Sequence, residues 1–497
     1  MKALPTLFAA LLLAFALNPA YAQDKPAAAT PVAASDGSDP ATLTEEQIKH
    51  ADVPLALNKL AQFYNGHGDY QRFIWTMQRL VELTPNSGTL KLQLAIAYAQ
   101  VDNKSGAYDL LVRMQAQGFG YDLSDDKRFE KIHGTKVWDY INANLKANLV
   151  PFGEGKPAFD LDGKDTLIES LAYDPKRKQF LAGSMRDGSI SLATMDGKLS
   201  SFIKPDASNG LWGVYDLAID SAHDLLYVVS SSVLQFRNYK PEDAGKAAVF
   251  KFQLSSGKFV GKYLVPGEGK HILSTLTIGK DGQLFAADGV NNEIYKLDAA
   301  GLKLIMRNPK LESVRGMALS PDGKILYFAD YSLGIFGIDL AKTSGFEVKH
   351  NSEKLVVGGI DGLYYYDGNL VMISNGMSPT RVMRLKLSAD GREITGAMPL
   401  DVAQPTFSVP TYGTIVDDHL YFIANSQKSQ YDQYGLPKDA SKLQPVHIFK
   451  SDLRFAWGQN GVGADIKPVP AASPAEAQKL LKKPPSKLAP AKPVVQH

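Results

Sequence analysis

Six residues fall at one register of a repeating unit: Glu169, Tyr215, Ser274, Arg315, Asp361 and Tyr412. They emerge when Ile168-Glu169-Ser170-Leu171 is aligned with Val214-Tyr215-Asp216-Leu217 and Leu273-Ser274-Thr275-Leu276. Val314-Arg315-Gly316-Met317, Ile360-Asp361-Gly362-Leu363 and Thr411-Tyr412-Gly413-Thr414 complete the series. Two carboxylates, a guanidinium, two phenols and a hydroxyl brought to one point make a polar site. Such a ring either binds a ligand or satisfies itself across the gap. Other chemistries are excluded. The 497 residues include no cysteine, which removes disulfides, thiolate metal sites, iron–sulfur clusters and cysteine nucleophiles. The nine histidines form no His-Glu-x-x-His, and no Gly-x-Ser-x-Gly elbow is present. Gly267-Glu268-Gly269-Lys270 lacks the flanking glycine and Ser/Thr of a phosphate loop, and Gly458-Gln459-Asn460-Gly461-Val462-Gly463 lacks the dinucleotide spacing.

The elements that position these residues are strands. Residues 156–455 follow a period of two, and Asp-Gly turns at 187–188, 196–197, 281–282, 322–323, 367–368 and 390–391 suit tight hairpins. Each aligned segment is followed by a turn and a second apolar strand, four of which end in Asp288, Asp330, Asn375 and Asn425. Six units at about 40–60 residues, with no intervening helices, predict a six-bladed β-propeller. Residues 158–161 are expected to pair with 446–450 and close the ring, removing exposed sheet edges. The innermost strand of each blade lines the channel, so the six register residues converge on the axis. Long insertions at 238–246 and 426–444, the latter with Tyr431 and Tyr434, are candidate lids over the channel mouth.

Residues 44–148 read as helical. Thr44 with Gln47 has capping-box spacing, and Glu45-Glu46 suit the positive helix end. A 34-residue repeat carries Leu60-Ala61, Tyr64 and Asp69 onto Leu94-Ala95, Tyr98 and Asn103, with Ala107 where two helices approach. This resembles the tetratricopeptide repeat. Two copies are fewer than a free-standing solenoid needs, so a capping helix around 127–147 is expected to complete the unit. The unit serves either as a structural adaptor or as a module for a protein partner.

The run Ser313-Val314-Arg315-Gly316-Met317-Ala318-Leu319-Ser320-Pro321-Asp322-Gly323-Lys324, continuing to Asp330, resembles a blade of the gluconolactonase/senescence-marker family, whose motifs NHL-type propellers share. Ile360-Asp361-Gly362-Leu363 is similar to its next blade and Ile168-Glu169-Ser170 to its first. The resemblance implies a divalent cation on the axis, calcium or zinc, held by a Glu, an Asn and an Asp, that polarises a lactone carbonyl and activates water. Glu169 and Asp361 match that set; Arg315 stands where the Asn is expected. A guanidinium has no lone pair to donate and repels a cation. The leading expectation is therefore a propeller that needs no cofactor and binds a small-molecule or protein ligand at Glu169, Tyr215, Ser274, Arg315, Asp361 and Tyr412. The alternative is a divergent metal-dependent lactone or ester hydrolase, with Asn375 or Asp330 replacing the missing ligand.

The ends complete the reading. Lys2, an apolar run at 7–17 and Ala20-Tyr21-Ala22 form a secretory signal over 1–22, which places the protein in a bacterial periplasm. Residues 23–43, rich in Ala, Pro, Ser and Thr, read as a disordered linker, and 464–497 as a disordered Lys/Pro/Ala tail. Lys2 and the stretch from Lys467 to His497, with six Lys against Glu476 alone, exceed the whole formal charge of +2, so the rest is net acidic. That argues against nucleic acid as a partner. No run is long and apolar enough for a transmembrane helix.

Overall fold

The computed structural model describes residues 39–454. The expected signal (1–22), the linker before residue 39 and the tail (464–497) lie outside the described residues. At the end of the expected linker, Pro40–Thr42 form a 3-10 turn, tied down by Tyr64 Oη donating to Pro40 O at 2.7 Å.

Thr44 caps α1 (Glu45–His50) reciprocally with Gln47. Then come α2 (Pro54–His67), α3 (Tyr70–Leu83), α4 (Gly88–Gln100) and α5 (Lys104–Ala116), so the helix starts at Pro54 and Tyr70 recur 34 residues on. Leu57, Leu60, Ala61 and Tyr64, spaced by three and four, bury one face of α2 against Ile74, Met77 and Leu80 of α3. Asp69 and Asn103 cap α3 and α5 by accepting from Arg72 N and Gly106 N. The helix expected at 127–147 is two pieces. A 3-10 turn (Lys127–Ile132) stops at Gly134, which takes φ 75°, and Thr135 then caps α6 (Lys136–Ala147). None of the described helices is long and apolar enough to cross a membrane.

Six antiparallel sheets follow as the blades of a propeller. Their inner strands are Ile168–Asp174, Gly213–Asp220, Leu273–Ile278, Val314–Leu319, Ile360–Tyr366 and Gly413–Val416, and each is the terminal strand of its sheet. Blade 6 takes its outer strand from Lys156–Leu161, which pairs antiparallel with Val446–Asp452 in the register Phe159↔Ile448 and Leu161↔Val446. The ring is thus closed by residues far apart in the chain. The glycine of every Asp-Gly pair named above has positive φ, from 67° to 83°, as tight hairpins need.

The polar residues ending the second strands anchor the connections. Asp330 accepts four main-chain N–H groups, from Glu312, Ser313, Ser332 and Leu333. Asp288 accepts from Ile272, Val290 and Asn291 N, and Asn425 Oδ1 from His447 N. These groups tie down the connections of blades 3, 4 and 6.

The helical unit docks on blades 4 and 5, on the face where inner strands begin. Asn86 donates to Leu333 O at 2.9 Å and accepts from Val357 N at 3.3 Å. Gly120 and Ser378 exchange two hydrogen bonds, and Arg381 Nη2 donates to Gly118 O at 2.6 Å. Val356 and Met377 join the apolar cluster of α4, α5 and α6.

Candidate functional site at the propeller axis

Breaks in strand pairing deliver the register residues. The ladder between the first two strands of blades 1, 2, 3 and 5 skips one residue each: Glu169, Tyr215, Ser274 and Asp361. In blade 4 it skips Arg315 with Gly316, and in blade 6 Tyr412 precedes the first paired residue, Gly413. A bulged residue has left the alternation of the pleat, so its side chain can be re-aimed, here to the axis. Gly316 also lets blades 4 and 5 approach closely; a Cβ there would lie 2.4 Å from Leu363 N.

Arg315 and Asp361 meet across that approach. Arg315 Nη1 lies 3.7 Å from Asp361 Oδ1, and Nε donates to Ser313 Oγ at 3.0 Å. Burial works against the guanidinium's charge, but Asp361, Tyr412 and Tyr331 outweigh it and hold its pKa above the ordinary value. Asp361 Oδ2 accepts from Asn375 Nδ2, which also donates to Pro410 O at 2.9 Å, while Asn375 Oδ1 accepts from Tyr331 Oη at 3.0 Å. A main-chain carbonyl only accepts, so the amide nitrogen, not its oxygen, faces the carboxylate.

Glu169, 3 % exposed, meets a second cation. Its Oε1 accepts from Ser426 Oγ at 2.6 Å. Lys428 Nζ sits 5.7 Å from the Tyr215 ring centroid. Burial raises the Glu169 pKa; Lys428 and Ser426 counter that, and the Asp361 charge adds to it. Ser274 Oγ is buried without a hydrogen-bond partner.

Ser426 and Lys428 start the 426–444 insertion, which leads from blade 6 to the segment just before the blade 2 insertion. Tyr431 is buried in one apolar cluster with Val233 and Phe236, and a Cβ on Gly435 would lie 2.5 Å from Gln235 O. Tyr434 is exposed. Of this insertion, Ser426 and Lys428 reach the Glu169 and Tyr215 side chains.

Past the ring the channel widens into a chamber of about 520 Å³. Its lining starts one residue beyond the ring, at Asp216, Thr275 and Gly316, with Tyr412 shared, and ends at exposed turn residues such as Pro175 and Asp417. The chamber therefore opens on the face opposite the helices and the insertion. Asp216 accepts from Leu217 N (2.8 Å), Thr275 Oγ1 (2.9 Å) and Leu276 N (3.0 Å), and burial lifts its pKa to about 6 against those bonds.

No family model and no curated protein matches the chain. Solved structures do match. The chain is similar to a PQQ-bound aldose sugar dehydrogenase from Streptomyces coelicolor, at 14% identity and TM-score 0.42 over 61% of this chain and 99% of that one. It is also similar to regucalcin, described as a calcium-binding protein, from Agrobacterium tumefaciens (14%, 0.41, 60% and 93%). Virginiamycin B lyase from Staphylococcus aureus gives 13%, 0.40, 61% and 100%.

Sequence reasoning missed Asp216, Ser426 and Lys428. Asp216 was within reach, since it directly follows a register residue; the insertion residues carry no repeat signal. Away from the axis, His271, Asp288 and Glu293 come together among the described residues in a metal-like group. Asp288 is taken up by main-chain N–H groups and Glu293 by Arg307 and Tyr295.

Proposed function

We propose that this is an exported, periplasmic propeller protein that binds a small-molecule or protein ligand at its axial channel and uses no metal there. The carrying observation is that two cations face the two carboxylates a metal would need. Arg315 pairs with Asp361, and Lys428 with Ser426 attends Glu169. The replacements considered from sequence are engaged elsewhere: Asn375 turns its nitrogen to Asp361, and Asp330 accepts four main-chain hydrogen bonds. This donor set does not fit a divalent cation, which needs several free oxygen ligands. The hydrolase alternative loses support on the same ground. The helical unit, whose helix starts repeat at 34 residues, is read as a tetratricopeptide-like pair fixed on blades 4 and 5, with a protein partner as its target.

Elemental analysis and melting in millimolar calcium, zinc or manganese test this reading. The expected result is no bound metal and no rise in Tm. A clear rise, lost on Asp361→Ala, would overturn it.

A further inference from the structure

The chamber has a chemistry distinct from the ring. No lysine, arginine or histidine lines it. Its lining carries two carboxylates, Asp216 and Asp417, and four phenols, Tyr173, Tyr364, Tyr365 and Tyr412. Asp216 is 9 % exposed at the inner end, and its three hydrogen-bond donors are all neutral. Among the described residues, no basic group lies within ion-pair distance of it. Arg315, beyond Tyr412, is spent on Asp361. A buried carboxylate with no counter-charge is costly, and three donors leave Oδ1 with a lone pair to spare. The free edges of six inner strands surround the space, and a desolvated carboxylate without a counter-charge favours a weakly hydrated cation.

We infer that the chamber binds an organic ammonium ion, which enters from the face opposite the helices and places its charge against Asp216 among the tyrosines. This rests on the axial-channel reading and names the ligand class and the entrance. A metal-sized ion is a poorer match, because a single three-times-bonded carboxylate supplies too few oxygens for it. An anion would meet two carboxylates and no base.

The test is calorimetric titration of the full chain with benzyltrimethylammonium, with 3,3-dimethylbutan-1-ol as an uncharged comparison and benzoate as an anionic one. Saturable binding of the cation is expected, about tenfold or more tighter than either comparison. Affinity is expected to fall as the pH drops through about 6, where Asp216 takes up a proton. Asp216→Asn is expected to weaken binding about tenfold or more. Since Asp216 also bridges blades 2 and 3, Asp417→Asn at the exposed mouth is the second variant, with a smaller loss expected. Failure of the cation to bind, or equal binding of the alcohol, overturns the assignment. Binding of the alcohol or benzoate alone overturns the cation class and leaves the channel reading standing. The channel's metal-free character is judged separately, by the metal titration.

Discussion

Arg315 Nη1 stands 3.7 Å from Asp361 Oδ1, at the position where the sequence resemblance leads to the expectation of an Asn. One side chain both removes a ligand and supplies the counter-charge. Arg315→Ala is expected to destabilise the protein by about 3 kcal/mol, because Asp361 is left buried beside no cation. Urea denaturation measures this. A loss below about 0.5 kcal/mol would mean that the pair is solvated like an ordinary surface bridge.

Restoring the oxygen donor and removing the second cation should reverse the metal behaviour. The double variant Arg315→Asn, Lys428→Ala is expected to gain Tm in millimolar calcium, and the parent is expected not to. A double variant indifferent to calcium would show that Asn375 and the blade geometry also bar the ion.

Ser426→Ala removes a hydrogen bond to a buried carboxylate. The expected cost is about 2 kcal/mol, with a further rise in the Glu169 pKa. The urea midpoint gives the first; carboxyl-carbon NMR titration of Glu169 gives the second.

Asp216 makes stability depend on pH in an unusual direction. Its folded pKa, about 6, lies above the ordinary 3.8, so the folded protein holds the proton more tightly than the unfolded chain. The group's contribution is complete below about pH 4 and is lost as the pH rises through about 6, amounting to about 3 kcal/mol. Followed across that window, the unfolding free energy of the parent should fall by about that amount relative to Asp216→Asn on the alkaline side. A difference that stays constant with pH contradicts the burial argument.

The helical unit and the propeller are held by close fits. A Cβ on Gly358 would come within 2.4 Å of Asn86 Cβ. Gly358→Ala is expected to loosen the docking, and limited proteolysis should then cut first between α6 and blade 6's outer strand. Unchanged protection would locate the interface strength in Arg381 and Ser378 instead.

Much of the fold was legible because its signals are local. Alternation, Asp-Gly turns and a recurring segment specified six blades and the closing strand, and Thr44 with Gln47 marked the first helix. Other features depend on tertiary approach. Gly134 divides an apparently continuous helical pattern, and the docking of Asn86 on Leu333 and Val357 has no counterpart in any periodicity. The ring was found by alignment, yet the residues that neutralise it, Lys428 and Ser426, come from an insertion without repeat. Asp216 carries no repeat signal of its own, since Tyr215 beside it occupies the recurring position.

The skipped residues at the axis have a consequence for variation. Glu169, Tyr215, Ser274, Arg315 and Asp361 sit outside the ladder between the first two strands of their blades. Replacing one leaves the pairing of its neighbours intact. Acid, phenol, hydroxyl and guanidinium can therefore stand at five equivalent stations without a change in the cross-strand pairing that carries them.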